Sequence, residues 1–229
     1  MRPLLTLLLA TLPLFTAGCG DPEPQYRLVY PIQASKQQIH RLDGVRFLST
    51  TDAPELSLIV LSNPVEDAAY VDIAFALSNT TEKPLTVTAQ MLGCRTRSGA
   101  AAVADRSSYE QRIGRGERYR RPEGFEKLMP KMQAFGCAAP KTKDTADKST
   151  LTPSQKQVWK EYRIYQERGA PESSHYFSGF ELEPGATQSA FVRVDLPHVD
   201  ATAERETLLF SLCPPNLPCR KVRLVIQPL

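Results

Sequence analysis

Residues 112–121 read RIGRGERYRR, the densest run of potential chemistry in the chain. Arg112, Arg115, Arg118, Arg120 and Arg121 interleave with Tyr119. A guanidinium binds phosphate or carboxylate through two parallel hydrogen bonds. Such a cluster is therefore a candidate contact for anionic headgroups, an acidic partner or a polyanionic glycan. The plainer reading is a solvated loop with no ligand. Trp159 shares a helical face with Val158, Tyr162 and Tyr165. That stripe either packs onto a sheet or anchors a partner. Catalytic constellations are missing from the sequence. It contains no G-x-S-x-G elbow, S-x-x-K, phosphate-binding P-loop or H-E-x-x-H. His40, His175 and His198 are scattered, without metal-ligand spacing. No catalytic residue, metal, cofactor or small-molecule substrate is assigned, and a non-enzyme is expected. A His and a carboxylate meeting in one pocket would count against that.

The elements must begin after an export signal. Arg2 supplies the positive end, LLTLLLATLPLF the apolar stretch, and Thr16, Ala17 and Gly18 the small residues before a cleavage point. The stretch is short for a bilayer span, which needs about 20 apolar residues. The run TAGC at 16–19 resembles the lipobox of bacterial lipoproteins, with Thr16 where Leu is usual. That resemblance covers the first 20 residues. It implies that Cys19 becomes the acylated first residue of the mature chain. Gly20 follows it where the inner-membrane retention signal of such lipoproteins has Asp. The resemblance thus implies the periplasmic face of the outer membrane, with palmitate among the acyl groups. Export argues against nucleic acid as the ligand of the arginines.

With Cys19 set aside, four of five cysteines remain: Cys94, Cys137, Cys213 and Cys219. An even number in an oxidising compartment suggests two disulfides, with three possible pairings. Cys213 and Cys219 bracket PPNLP and are the favoured pair, which leaves Cys94 with Cys137. The segment GDPEPQ before the first strand is a tether of at most about 20 Å, so the domain sits close to the membrane.

The mature domain reads as strands. YVDIAFALSN at 70–79 alternates Val71, Ile73, Phe75 and Leu77 with Asp72, Ala74, Ala76 and Ser78. This gives one greasy face and one small or polar face. Further strands are expected at 26–30, 45–50, 55–63 and 85–92, and on both sides of Glu183-Pro184-Gly185-Ala186, a type II turn signature. ETLLFSLC and CRKVRLVIQPL form a hairpin. Such a series indicates an all-β antiparallel sandwich. The turns Asn79 … Lys83-Pro84-Leu85 and Leu182-Glu183-Pro184-Gly185 resemble those of immunoglobulin-like bacterial envelope domains. Between the strand blocks, residues 105–170 form a partly helical insertion. It carries 15 Lys and Arg against 9 Asp and Glu, whereas the rest of the mature chain is acidic. Thr152, Pro153 and Gln155 cap a helix over about 153–168, closed by Gly169 and Pro171. A shorter helical piece, interrupted by Pro130, is expected within 123–137.

The resulting organisation is a signal peptide at 1–18, a lipidated tether at 19–25 and a β-sandwich domain at 26–229. The expected role is a non-catalytic binding or assembly component of a cell-envelope complex. Its partners would be the membrane, through the lipid, and an envelope protein. The alternative is an immunity or inhibitor lipoprotein that neutralises a periplasmic toxin or hydrolase.

Overall fold

The computed structural model describes residues 26–66, 70–96, 99–117, 119, 124–134, 147–169, 171–196 and 205–229. The export segment, Cys19, the tether, Arg118, Arg120, Arg121, Cys137 and His198 lie outside the described residues.

The strands are β1 (Tyr26–Pro31), β2 (Gln37–Leu42), β3 (Val45–Thr50), β4 (Glu55–Val60), β5 (Val65–Glu66), β6 (Tyr70–Ser78) and β7 (Leu85–Thr88). They continue as β8 (Leu92–Thr96), β9 (Ala100–Val103), β10 (Gly179–Leu182), β11 (Thr187–Asp195), β12 (Glu206–Leu212) and β13 (Arg220–Pro228). Three helices, α1 (Arg106–Gly114), α2 (Phe125–Ala134) and α3 (Pro153–Arg168), fall between β9 and β10, within the segment expected as an insertion. Eleven strands form one antiparallel sheet, ordered β2-β3-β4-β6-β11-β9-β8-β12-β13-β1-β5 and nearly closed into a barrel. β7 and β10 pair separately.

The predominantly β fold is as the alternation implies, but the sheet is continuous. β9 is the reason. Ala101 pairs with Cys94 of β8, and Val103 pairs with Val194 of β11, so one short strand joins the two halves. The alternating segment expected at 85–92 also divides. A 3-10 turn at Ala89–Met91 carries the chain from the β10 partner of β7 to the β12 partner of β8.

β6 lies in mid-sheet between β4 and β11 and is buried on both faces. On the inner face, Phe75 meets Phe210 of β12 at 5.5 Å, and Phe177 and Phe180 at 5.0 and 5.6 Å. The halves of the sheet thus share one core. On the outer face, Ala74 and Ala76 leave room for α3, which packs over β4, β6 and β11. Ser57 of β4 reaches Ser154 of α3 at 2.7 Å. The capping box forms as the sequence predicts: Thr152 N donates to Gln155 Oε1 at 3.1 Å, and Thr152 Oγ1 accepts from Gln155 N. α1, unforeseen, is capped by Asp105, which accepts from Ser108 N at 2.7 Å.

The two quoted turns dock on each other through buried Asn79. Its Nδ2 donates to Lys83 O at 2.8 Å and Leu182 O at 2.9 Å, and its carbonyl accepts from Gly185 N at 2.7 Å. Gly185 has φ 80°, and Ala186 N donates to Glu183 O, which are the marks of a type II turn. Cys213 and Cys219 are disulfide-bonded and close the β12–β13 hairpin. Cys94 is buried with a free thiol, and its expected partner Cys137 lies outside the described residues. Burial pushes that thiol up to about 12, which makes it inert. β1 pairs with β13 from Arg27↔Pro228 to Pro31↔Leu224, and Leu229 N donates to Tyr26 O at 2.9 Å.

Candidate functional site

The seam between the insertion and the sheet is built on two charges. Asp72 of β6 and Arg193 of β11 are directly opposed in register on the outer face, and neither is exposed. Arg193 Nε donates to Asp72 Oδ1 at 2.8 Å and Nη2 to Oδ2 at 2.9 Å. Nη1 donates to Glu117 O at 3.0 Å. The guanidinium lies 3.5 Å from the Tyr70 ring centroid and 4.9 Å from that of Tyr109. Burial alone would lower the Arg193 pKa, but the hydrogen bonds and charge of Asp72 outweigh it and hold the group charged.

Tyrosines extend this network into the insertion. Tyr165 OH of α3 donates to Asp72 Oδ2 at 3.4 Å, and Tyr109 OH of α1 donates to Pro171 O at 2.6 Å. Tyr176 OH donates to Ala104 O and accepts from Arg193 N. Desolvation pushes the Tyr176 phenol up to about 12 and raises Tyr109 and Tyr165 as well. These phenols stay protonated, and with Asp72 and Arg193 they clamp α1 and α3 to the sheet. Sequence reasoning missed it. The available signal was one acid inside YVDIAFAL and one base inside AFVRVD, each interrupting a strand otherwise buried.

The arginine cluster divides. Arg112 is committed to a two-pronged pair with Asp195, with Nη2–Oδ2 at 2.8 Å. Arg115 is exposed at the end of α1. Trp159 is packed, not presented: it is 8% exposed, tilted against Phe47 at 6.4 Å and stacked on Tyr162 at 5.4 Å. An aromatic on the sheet-facing side of α3 packs because Phe47 stands beneath it.

Tyr119, which falls within the arginine run in sequence, helps to line a cavity of about 350 Å³. Val29, Val60, Tyr119, Phe125, Met129 and Met132 form its apolar lining, with Asp43, Arg46 and Glu126 at its polar edge. Tyr119 OH donates to Asn63 O at 2.6 Å, which fixes the ring in the wall. In sequence, Tyr119 is flanked by Arg118 and Arg120.

No family model matches the chain, and neither a curated protein nor a solved structure matches it.

One His and carboxylate do meet. Ser189 Oγ donates to Glu161 Oε1 at 2.9 Å, and His175 Nδ1 lies 3.6 Å from Glu161 Oε2. The order is wrong for nucleophile activation. The imidazole must stand between serine and carboxylate to take the hydroxyl proton, and here the carboxylate stands between. Among the described residues no three His, Cys, Asp or Glu side chains converge on a metal position.

His40 belongs to a second polar cluster beneath the start of α3. Its Nε2 is 2.8 Å from Ser49 Oγ and 3.2 Å from Gln155 Nε2, and its ring stacks on Phe47. Burial lowers its pKa below 6.5, against the opposing charge of Glu55. The unfolded chain therefore takes up this proton more readily than the folded one. The contribution to stability is complete above about pH 6.5 and is lost as pH falls below it. Urea titrations at about pH 7.5 and 5.5 should show a loss at the lower pH that His40→Gln reduces. An undiminished loss in the variant would move the effect to other groups.

Proposed function

We propose that this chain is a lipid-anchored periplasmic protein of the outer membrane that acts without catalysis, as a binding component of a cell-envelope complex. On this reading Cys19 carries the lipid, and the domain is an immunoglobulin-like sandwich whose halves face each other through Phe75 and Phe210. One observation supports the binding role above the others. The apolar cavity at the insertion seam is walled by insertion residues Tyr119, Phe125 and Met129, and its wall adjoins Arg118, Arg120 and Arg121 in the chain. An apolar lining with Arg46 at its edge suits an envelope protein that presents an apolar side chain flanked by an acid.

A photo-crosslinker at Phe125 or Met129, in intact envelopes, should join the chain to one defined envelope protein. A probe at exposed Glu82 serves as the control. Equal capture from Glu82, or none from either cavity position, overturns the reading. Cys19→Ala should move the protein from the membrane to the soluble fraction, and retention of the variant would remove the lipid anchor from the proposal.

A further inference from the structure

A second cavity, of about 460 Å³, opens where β1 leaves β13. β1 pairs with β13 only as far as Leu224, so the edge of β13 over Arg220–Arg223 faces the segment Ala34–Gln37. Residues from both faces of β13 therefore reach one space. Lys36, Arg95, Arg220, Lys221 and Arg223 line it, against a single carboxylate, Asp52.

The strand register places three of these cations together. Arg95 of β8 and Arg223 of β13 both oppose Leu209 of β12, so they flank it in one row. Adjacent strands are about 4.8 Å apart, so the two Cα atoms stand about 10 Å apart. Their long side chains can close over Leu209 onto a shared anion. Lys221 lies two residues along β13 on the same face. No ion pair forms at Arg95, Lys221 or Arg223 among the described residues.

Arg220 brings a largely buried guanidinium to this space. Its side chain is 5% exposed, and Nε donates to Pro54 O at 3.1 Å. Its nearest carboxylate oxygen, Asp52 Oδ2, is 3.8 Å from Nη1, beyond hydrogen-bond distance. That same oxygen is held by Lys36 Nζ at 3.0 Å. A buried guanidinium is expensive unless its donors are used. Here burial pulls its pKa down and Asp52 only partly opposes this. The Cys213–Cys219 bridge fixes the hairpin directly before Arg220, and Cys219 is in the wall.

We propose that this cavity binds a phosphate monoester. Five cations around one carboxylate call for more charge than a single carboxylate ligand brings. A monoester carries close to two charges at neutral pH, with three acceptor oxygens suited to guanidinium forks. The site is separate from the apolar cavity at the insertion seam and does not depend on it.

Glycerol 3-phosphate, titrated calorimetrically into the full-length protein, should bind saturably. Flotation with phosphatidylcholine vesicles, with and without phosphatidic acid, tests the same group as a lipid headgroup. Saturable binding in either arm supports the site and assigns the source, soluble ester or membrane. Lys221→Gln/Arg223→Gln changes only exposed side chains and should weaken the positive arm at least about tenfold. Arg220→Gln should weaken it further, and its melting temperature reports whether it folds. No saturation in either arm up to about 10 mM monoester, or an unchanged affinity in the double variant, overturns the proposal.

Discussion

Asp72→Ala unfolds in urea well before the parent chain, with a loss of about 3–5 kcal/mol. The variant leaves Arg193 in a fully buried position without its two carboxylate bonds. Water cannot replace them, because Tyr70 and Tyr109 cover the guanidinium. Tyr165 also loses its acceptor, which loosens α3 over β6. The comparison variant is Asp72→Leu with Arg193→Met. An apolar pair of similar volume avoids stranding a charge and should recover most of the loss. A loss under about 1 kcal/mol for Asp72→Ala would mean that the pair behaves like a surface salt bridge and is not the clamp described.

Phe75→Ala should cost about 3–5 kcal/mol, and Phe75→Leu much less. Phe75 is fully buried and touches three rings drawn from two other parts of the chain. Truncation opens a void between Phe210 of one half-sheet and Phe177 and Phe180 of the other side. The disulfide of the β12–β13 hairpin limits how far that region can collapse. Equilibrium unfolding should show a lower midpoint at an unchanged denaturant slope. A loss below about 1.5 kcal/mol would mean that the halves close over the gap.

What the sequence makes legible is local. Alternation is enough for β6 and β13, and the T-x-x-Q box with Pro153 is enough for α3. β2 and β9 are harder, because QQIHRL and AAAV show little alternation of large apolar residues. Asp72, Ala74, Ala76 and Ser78 form a small or polar face in the alternation, which by itself does not say what covers it. Here the same small residues admit a helix, and the one charge is answered by Arg193 121 positions away. That answer depends on strand register, which no local window contains. The basic cavity is hidden for the same reason. Lys36, Arg95 and Arg220–Arg223 are separated in the chain and meet through the β8–β12–β13 register and the departure of β1 from β13. The visible arginine run misleads in part, since Arg112 serves Asp195.

The pairing of the first and last strands gives the molecule two poles. Tyr26 and Leu229 are hydrogen-bonded neighbours at one end of β13, and Arg220 stands at the other. Nine residue steps of extended chain separate these ends by about 30 Å. A label joined after Leu229 would report from beside Tyr26, and an anchor held close ahead of Tyr26 would act on that same pole. The basic cavity would then point away from whatever surface the anchor occupies, toward solution or an opposing membrane.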